Sequence, residues 1–340
     1  MSKLNVLIAG ATGYIGIQLT KLLLNHSKIK IKFLCGNTSK GKSIKYFDKS
    51  INTNNLPKIT KFNYKNLKDV HVVFTALPNG EAQKISNKLL SHNILIDLAA
   101  DFRLKSSKEY FKWYKIKHKS KSNIKSSIYS IPEFVKNNVK NYKIISCPGC
   151  YPTSILLPLV PIIKKKLIGI KNIIIDSKSG YSGAGRGVHK KYANKNLYES
   201  LSAYGVGFHR HNSEIEQEIY KHTKKKYKFI FTPHLSPMFR GILSTIYIDS
   251  KKNISINSVY RKLKNFYLNK PFIKIQKPNT YISTNNVINS NNCHISICNT
   301  KYKNKFIILS ALDNLIKGGA GQAIQNMNLK FGINETKGLK

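Results

Sequence analysis

Cys150 stands in the segment SCPGCYPTS, directly before a long apolar helix with Pro152 and Thr153 in its first turn. Free N–H groups and peptide dipoles at a helix start stabilise a thiolate, the form of cysteine that attacks carbonyl carbon. Such a nucleophile needs a proton partner, and GFHRHNSEIEQE supplies His209 and His211 ahead of a helix that begins near Asn212, with Glu214 just inside it. Histidines two apart on an extended segment point to opposite sides, so one faces the thiol while Glu214 or Glu216 orients a ring. His209 is preferred as the acid/base, because its offset leaves Glu214 room to reach the ring. The catalytic set is therefore Cys150, His209, His211 and Glu214. Cys147 completes a Cys-Pro-Gly-Cys, which also admits a redox pair, half of a zinc site or a structural thiol. No second Cys-x-x-Cys supplies the remaining zinc ligands, and a redox dithiol belongs at the first strand–helix turn. A single nucleophile without a metal is the preferred reading. Cys35, Cys293 and Cys298 lie in or beside apolar runs and read as core, and His71 and His234 read as structural.

Gly10, Gly13 and Gly16 in GATGYIG form a Gly-x-x-Gly-x-x-Gly turn, with Thr12, Tyr14 and Ile15 between them. Glycines there let the backbone turn sharply and approach a pyrophosphate, which sits against the positive end of the following helix. The end of the second strand reads CGNTSKGK and has no acid for the ribose hydroxyls of NAD. Asn37, Thr38, Ser39 and Lys40 are placed to donate to a 2′-phosphate, so NADP(H) is the expected cofactor. Arginine is scarce, and its fork matches carboxylate or phosphate. Arg103, Arg186 in the glycine-rich SGYSGAGRG, and Arg240 together imply an anionic small-molecule substrate.

These residues need elements to hold them. LNVLIA at 4–9 reads as a strand, and Ile15, Leu19, Leu22 and Leu23 recur at helical spacing behind the glycine turn. Further apolar runs at 31–35, 70–76, 94–99 and 143–146, with helical or loop segments between them, predict a parallel sheet wound with helices. After about residue 150 the pattern changes. An apolar helix at 154–163 precedes strands at 172–176, 229–233, 242–248, 294–298 and 306–311, several without intervening helices, which predicts a mixed or antiparallel sheet. Helices at 213–224 and 255–268 cover it, 270–292 is a long excursion, and a last helix spans 319–329. The expected fold is α/β: a Rossmann-type dinucleotide-binding domain (1–149, completed by 313–340) and an α+β catalytic and oligomerisation domain (150–312).

The chain has 340 residues, 41% of them hydrophobic, enough to fill two cores despite 58 Lys and Arg against 15 Asp and Glu. The net charge of +43 is the usual footprint of a nucleic-acid binder. Here it is nearly all lysine, spread through every segment beside abundant Asn and Ile, so nucleic-acid binding is expected only as a nonspecific effect. No uncharged apolar run approaches the roughly 18 residues of a spanning helix. The N-terminus lacks the long apolar region of a secretion signal, and the few irregular cysteines make no disulfide framework. A cytoplasmic protein with reduced thiols is expected.

In order along the chain, GATGYIG, TALPNG, DLAADFRL, YSIPE, PGCYPT, SGYSGAGR, HRHNSEIEQ, FTPHLSPMFRGILSTIY and DNLIKGGAGQA resemble the N-acetyl-gamma-glutamyl-phosphate reductase family, relatives of aspartate-semialdehyde dehydrogenase. The resemblance implies that Cys150 is the nucleophile and that the HRH histidines are the acid/base site. It further implies that DNLIKGGAGQA returns to the first domain with Asn314, Gly318 and Gln322 at the cofactor. Ser182, Gly183 and Gly185 would then lie near the nicotinamide, Ala76 and Pro78 also at the cofactor, and Arg240 near a substrate carboxylate or phosphate. Three positions depart from the family pattern: Asn79 replaces an expected His, Ala99 a common Ser, and Cys147 an Asn or small apolar residue. The implied reaction, a step of arginine biosynthesis, is attack of Cys150 on N-acetyl-γ-glutamyl phosphate, loss of phosphate, and hydride reduction of the thioester through a hemithioacetal. A histidine handles the proton as the aldehyde departs. A dimer or tetramer is expected. An aspartate-semialdehyde dehydrogenase-like reductase of another acyl phosphate and a polyanion-binding protein are the alternatives.

Overall fold

The structure, a computed structural model, describes residues 3–169, 172–187 and 199–340. It divides into two compact units, 1–148 with 319–340, and 149–318. The boundaries differ slightly from those read from sequence, because residues 313–318 belong to the second unit. Asp313 and Asn314 anchor loops there: Asp313 Oδ2 accepts from Asn289 N at 2.9 Å, and Asn314 Oδ1 accepts from Gly241 N at 2.7 Å.

In the first unit, six strands form one parallel sheet: β1 (Leu4–Ala9), β2 (Ile29–Cys35), β3 (Val72–Thr75), β4 (Ile94–Asp97), β5 (Ser127–Tyr129) and β6 (Ile144–Ser146). Their spatial order is β2-β1-β3-β4-β6-β5. The uninterrupted apolar runs follow from burial on both faces. Val6, Ile8, Phe74 and Ile96 join a core on one face, while Leu7, Ala9, Val73 and Leu95 join a core on the other. Helix Tyr14–Leu24 packs beside β1, and helix Gly321–Lys330 returns to pack against it. β5 was not anticipated, since three residues carry no periodicity.

Asp97 closes β4 and is fully buried. Its Oδ1 accepts from Thr75 Oγ1 at 2.7 Å and from Ala99 N at 3.1 Å, whereas Oδ2 has no hydrogen-bond partner. Burial and the nearby Asp101 carboxylate push its pKa up to about 7.

The second unit holds a mixed sheet of seven strands: β7 (Ile173–Gly180), β8 (Ser202–Ala203), β9 (Phe229–Ser236), β10 (Ile242–Asp249), β11 (Ile273–Ile275), β12 (Cys293–Asn299) and β13 (Lys305–Leu312). The order is β11-β12-β13-β10-β7-β9-β8, with β7/β9 and β11/β12 parallel and the other pairs antiparallel. β8 and β11 are further strands that sequence patterning missed, the latter inside the expected excursion. Helix Cys150–Lys164 lies on this sheet and contains Pro158 and Pro161. A proline inside a helix removes the N–H that would bond the carbonyl four residues earlier. For Pro161 that carbonyl belongs to Leu157, and the Tyr267 hydroxyl at the end of helix Ile256–Phe266 donates to it instead.

Candidate active site

In the first unit the chain leaves β1 for β2 on one side and comes back to β3 on the other. Such a switch opens a crevice at the carboxyl ends of the strands. A cavity of about 210 Å³ lies there, lined by Gly10, Thr12, Gly13, Asn37, Ala76 and Pro78 among others. Gly10 has φ +88°, and a Cβ on it would lie 2.2 Å from Ala76 O; a Cβ on Gly16 would lie 2.2 Å from Gly10 O. Both glycines are thus demanded by the turn itself. Gly13 is different, since its Cβ would meet only Gly10 O at an ordinary 3.6 Å. The fold does not require glycine there, whereas a pyrophosphate approaching the helix start does. The residues present therefore fit a dinucleotide.

The other expected cofactor residues are placed less uniformly. Tyr14 and Ile15 form the first helical turn without lining the cavity, and Ile15 packs on the core. Thr38 is exposed beyond β2, but Ser39 is buried. Gln322 is fully buried in its helix and lines no part of this cavity.

In the second unit Cys150 is the first residue of its helix, with Gly149 as N-cap. The helix begins earlier than the apolar pattern indicated, and the partly exposed thiol sits at its positive end. Two other segments converge on this point, the helix carrying His211 and Glu214 and the stretch ending at Gly318. Glu214 Oε2 accepts from Gly149 N at 3.0 Å. The His211 ring lies against Gly149 so closely that a Cβ there would be 2.4 Å from Nε2. From the end of the unit, Gly318 approaches until its own Cβ would be 2.7 Å from Cys150 Cβ. The close backbone contact thus explains the glycines on both sides of the thiol.

The histidines do not divide as expected. The helix starts at His211, not near Asn212, so His211 and Glu214 are three apart on one helical face. His211 Nε2 is 3.7 Å from Glu214 Oε1, and Glu214 is fully buried. The carboxylate therefore attends His211 and not His209, which corrects the preference drawn from spacing. His209 Nδ1 instead accepts from His211 N at 3.2 Å. Burial, with Arg210 adding to it, pushes the His209 pKa down to about 4.

Of the three arginines, Arg103 has another task. It is buried in the first unit, donating from Nε to Cys147 O at 2.9 Å and from Nη2 to Leu98 O at 3.0 Å, so it ties strand ends together instead of meeting substrate. Arg240 donates from Nη1 to Asn289 Oδ1 at 2.6 Å and pairs with the buried Asp313 at 3.2 Å, which fixes its direction. Arg186 is exposed after Gly185, whose φ is +82°. Asn314 Nδ2 donates to Ser182 Oγ at 2.9 Å, so Asn314 braces the loop carrying Ser182 and Gly183. Cys147, Cys35, Cys293 and Cys298 are buried, with Cys147 pushed up to about 12 by burial and by Asp97. Residues that sequence reasoning missed are Gly149, Tyr151, Tyr204, Asn289 and Asp313. Gly149 and Tyr151 carried a local signal through their place in PGCYPT, and Asp313 through its place in DNLIKGGAGQA.

The sequence matches the model of the semialdehyde dehydrogenase NAD binding domain over residues 5–142 and that of the semialdehyde dehydrogenase dimerisation domain over residues 150–314. The fold is that of a semialdehyde dehydrogenase-type oxidoreductase with a nicotinamide dinucleotide cofactor. A solved structure of aspartate semialdehyde dehydrogenase II from Vibrio cholerae, complexed with ASA, shares the fold with a TM-score of 0.73 at 16% identity, covering 98% of this chain and 99% of that one. The N-acetyl-gamma-glutamyl-phosphate reductase of Thermoanaerobacter pseudethanolicus is 42% identical over 343 residues, 98% of this chain and 96% of that protein. That of Vesicomyosocius okutanii is 44% identical over 335 residues, 98% and 97% of the two chains. The chain belongs to the N-acetyl-gamma-glutamyl-phosphate reductase family. Among the described residues no helix is long and apolar enough to cross a membrane.

Proposed function

We propose that this protein reduces N-acetyl-γ-glutamyl phosphate to N-acetyl-L-glutamate 5-semialdehyde and phosphate, a cytoplasmic step of arginine biosynthesis, with NADPH as reductant. The observation that carries the reading is the thiol of Cys150 at a helix start whose N-cap touches both His211 and Glu214.

His211 takes the thiol proton, and the helix dipole favours the thiolate that results. Sulfur attacks the acyl carbon, the bond from that carbon to the phosphate oxygen breaks, and a thioester on Cys150 remains. A reduced nicotinamide dinucleotide held by Gly10, Thr12, Gly13, Asn37, Ala76 and Pro78 would supply the hydride needed at the thioester carbon. Protonated His211 gives its proton to the oxygen as charge develops there, while backbone N–H groups at the helix start hold that oxygen. His211 then recovers the proton as the C–S bond breaks, releasing the aldehyde and restoring the thiolate. Glu214 keeps the ring and the Gly149 amide in register. Arg240, fixed by Asp313 and Asn289, is the anchor for an anionic group of the substrate, with exposed Arg186 as a second candidate. Asn37, Thr38 and Lys40 favour the 2′-phosphate of NADP over the bare ribose of NAD. The match to a dimerisation domain supports a homo-oligomer, a dimer or tetramer.

The test is reduction of NADP by N-acetylglutamate 5-semialdehyde in the presence of phosphate, with NAD and aspartate semialdehyde in parallel and Cys150→Ser as control. Activity that needs phosphate, prefers NADP and the acetylated aldehyde, and collapses in the variant is expected. Preference for aspartate semialdehyde would overturn the substrate, and phosphate independence would overturn the acyl-phosphate chemistry.

A further inference from the structure

We propose that His209 is a positioning residue that caps the His211 helix through an unprotonated Nδ1, leaving His211 as the only histidine of the pair able to carry the proton. The inference deepens the function proposed above and rests on it for its kinetic arm.

A helix leaves its first N–H groups without intrahelical partners, and a side chain just before the helix commonly accepts from one of them. Here the N-cap Arg210 offers no side-chain bond, and the acceptor is the ring of His209, 3.2 Å from His211 N. A backbone N–H only donates, so Nδ1 must present its lone pair and the proton of the neutral ring sits on Nε2. Nδ1 is then committed to the cap. Protonating Nδ1 would set one donor against another and break the cap.

The surroundings of the ring agree with a fixed neutral state. Tyr151, Tyr204 and Phe231 meet it edge-on, with centroids at 5.9, 5.4 and 5.6 Å. Gly205, at φ +56°, lies close enough that a Cβ would be 3.1 Å from the ring. The charged or titratable groups around it are Arg210, which disfavours a second positive charge, Tyr151, Tyr204 and His211. Glu214, the group that would stabilise an imidazolium, stands at His211. The two imidazoles lie 4.6 Å apart at 70°, so His209 sets both the first amide of the helix and one wall against the His211 ring. Displacing it would tilt the proton carrier while leaving the thiol in place.

Imidazole nitrogen NMR on the intact, histidine-labelled protein reads the tautomer without any substrate. His209 is expected to remain neutral with its proton on Nε2 from about pH 5 to about pH 9, where an ordinary histidine titrates. A proton on Nδ1, or titration near neutrality, would overturn the proposal even if the enzyme proved to use a different acyl phosphate. In the kinetic arm, His211→Asn is expected to lose about 10²–10⁴-fold in turnover, the range of a lost general acid/base. His209→Asn restores an acceptor two residues before the same N–H and should stay within about tenfold of wild type with its pH profile unchanged. His209→Phe fills the aromatic box without an acceptor and should lose about a hundredfold. A loss in His209→Asn as large as in His211→Asn, or disappearance of the same pH limb, would show that His209 carries the proton itself. An inactive wild type would count against the proposed reaction, and the NMR result would still decide the tautomer.

Discussion

The nucleotide crevice of the first unit and the thiol site of the second are built on opposite plans. The crevice is shaped by backbone meeting backbone: Gly16 against Gly10 O within one turn, and Gly10 against Ala76 O at the end of β3. The thiol site collects Gly149, His211, Glu214 and Gly318 from separate stretches, and its working parts are side chains. A site made of backbone can be read locally, because glycine marks where a Cβ cannot go. A site made of side chains depends on which helix face each residue lands on, and one residue of error in a helix start reverses the assignment.

The largest effect expected from breaking either plan is at Cys150. Cys150→Ser should cut turnover by about 10³-fold or more while leaving NADP binding, followed by nucleotide fluorescence, unchanged. Gly149→Ala comes next. It puts a Cβ 2.4 Å from His211 Nε2 and should cost about 10²-fold in turnover through ring displacement, with the nucleotide KM little altered. Gly13→Ala is the reverse case in the first unit. With only an ordinary 3.6 Å contact to make, it should melt like wild type yet raise the KM for NADP by about tenfold, while Cys150 alkylates at the wild-type rate. An equal loss of cofactor binding in Gly149→Ala and Gly13→Ala would erase the distinction between the two plans.

The smallest effects concern pH and stability. Asp97 titrates near 7 in the folded protein, above its ordinary value of 3.8, so its contribution is fully present below about pH 4 and is lost as pH rises through 7. Asp97→Asn keeps an oxygen for Thr75 and Ala99 and should flatten that part of the denaturation profile, making the variant the more stable one at pH 8. His209 and His222 in the second unit act in the other direction. Both are lowered from 6.5 to about 4 by burial and nearby cations, so their contribution is present above 6.5 and is lost as pH falls through 4. Urea midpoints for wild type and Asp97→Asn across this range separate the two limbs.

Much of the fold was legible for a physical reason. The inner strands of the first sheet are buried on both faces and read as near-continuous apolar runs, while the edge strand β2 carries Lys30 and Lys32, and the glycine turn supplied its own punctuation. The short strands β5, β8 and β11 escaped, because SIY, SA and IKI hold no adjacent pair of aliphatic residues and too few residues for a period, whereas the equally short β6 reads IIS and showed as an apolar run. The apolar period alone set the Cys150 helix at 154, because Cys150, Pro152 and Thr153 suit a first turn without extending the apolar stripe. At the site, Cys150 was legible through its flanking residues, but the distinction between His209 and His211 was not. Spacing treated both as lying on extended chain, whereas His211 already belongs to the helix and shares a face with Glu214. Scarcity singled out Arg103 and Arg240 alike, and only tertiary contacts separate the arginine bound to backbone carbonyls from the one braced by Asp313.

Pro161 lacks a donor for Leu157 O, and the Tyr267 hydroxyl replaces it. Such a pair makes the order of evolutionary change matter. Losing Tyr267 first strands a buried carbonyl, whereas losing Pro161 first restores the helical N–H and frees the tyrosine to drift afterwards. The route through sequence space between this chain and a relative lacking both residues is therefore open, in either direction, through the intermediate that keeps Tyr267 without Pro161 and steep through the one that keeps Pro161 without Tyr267.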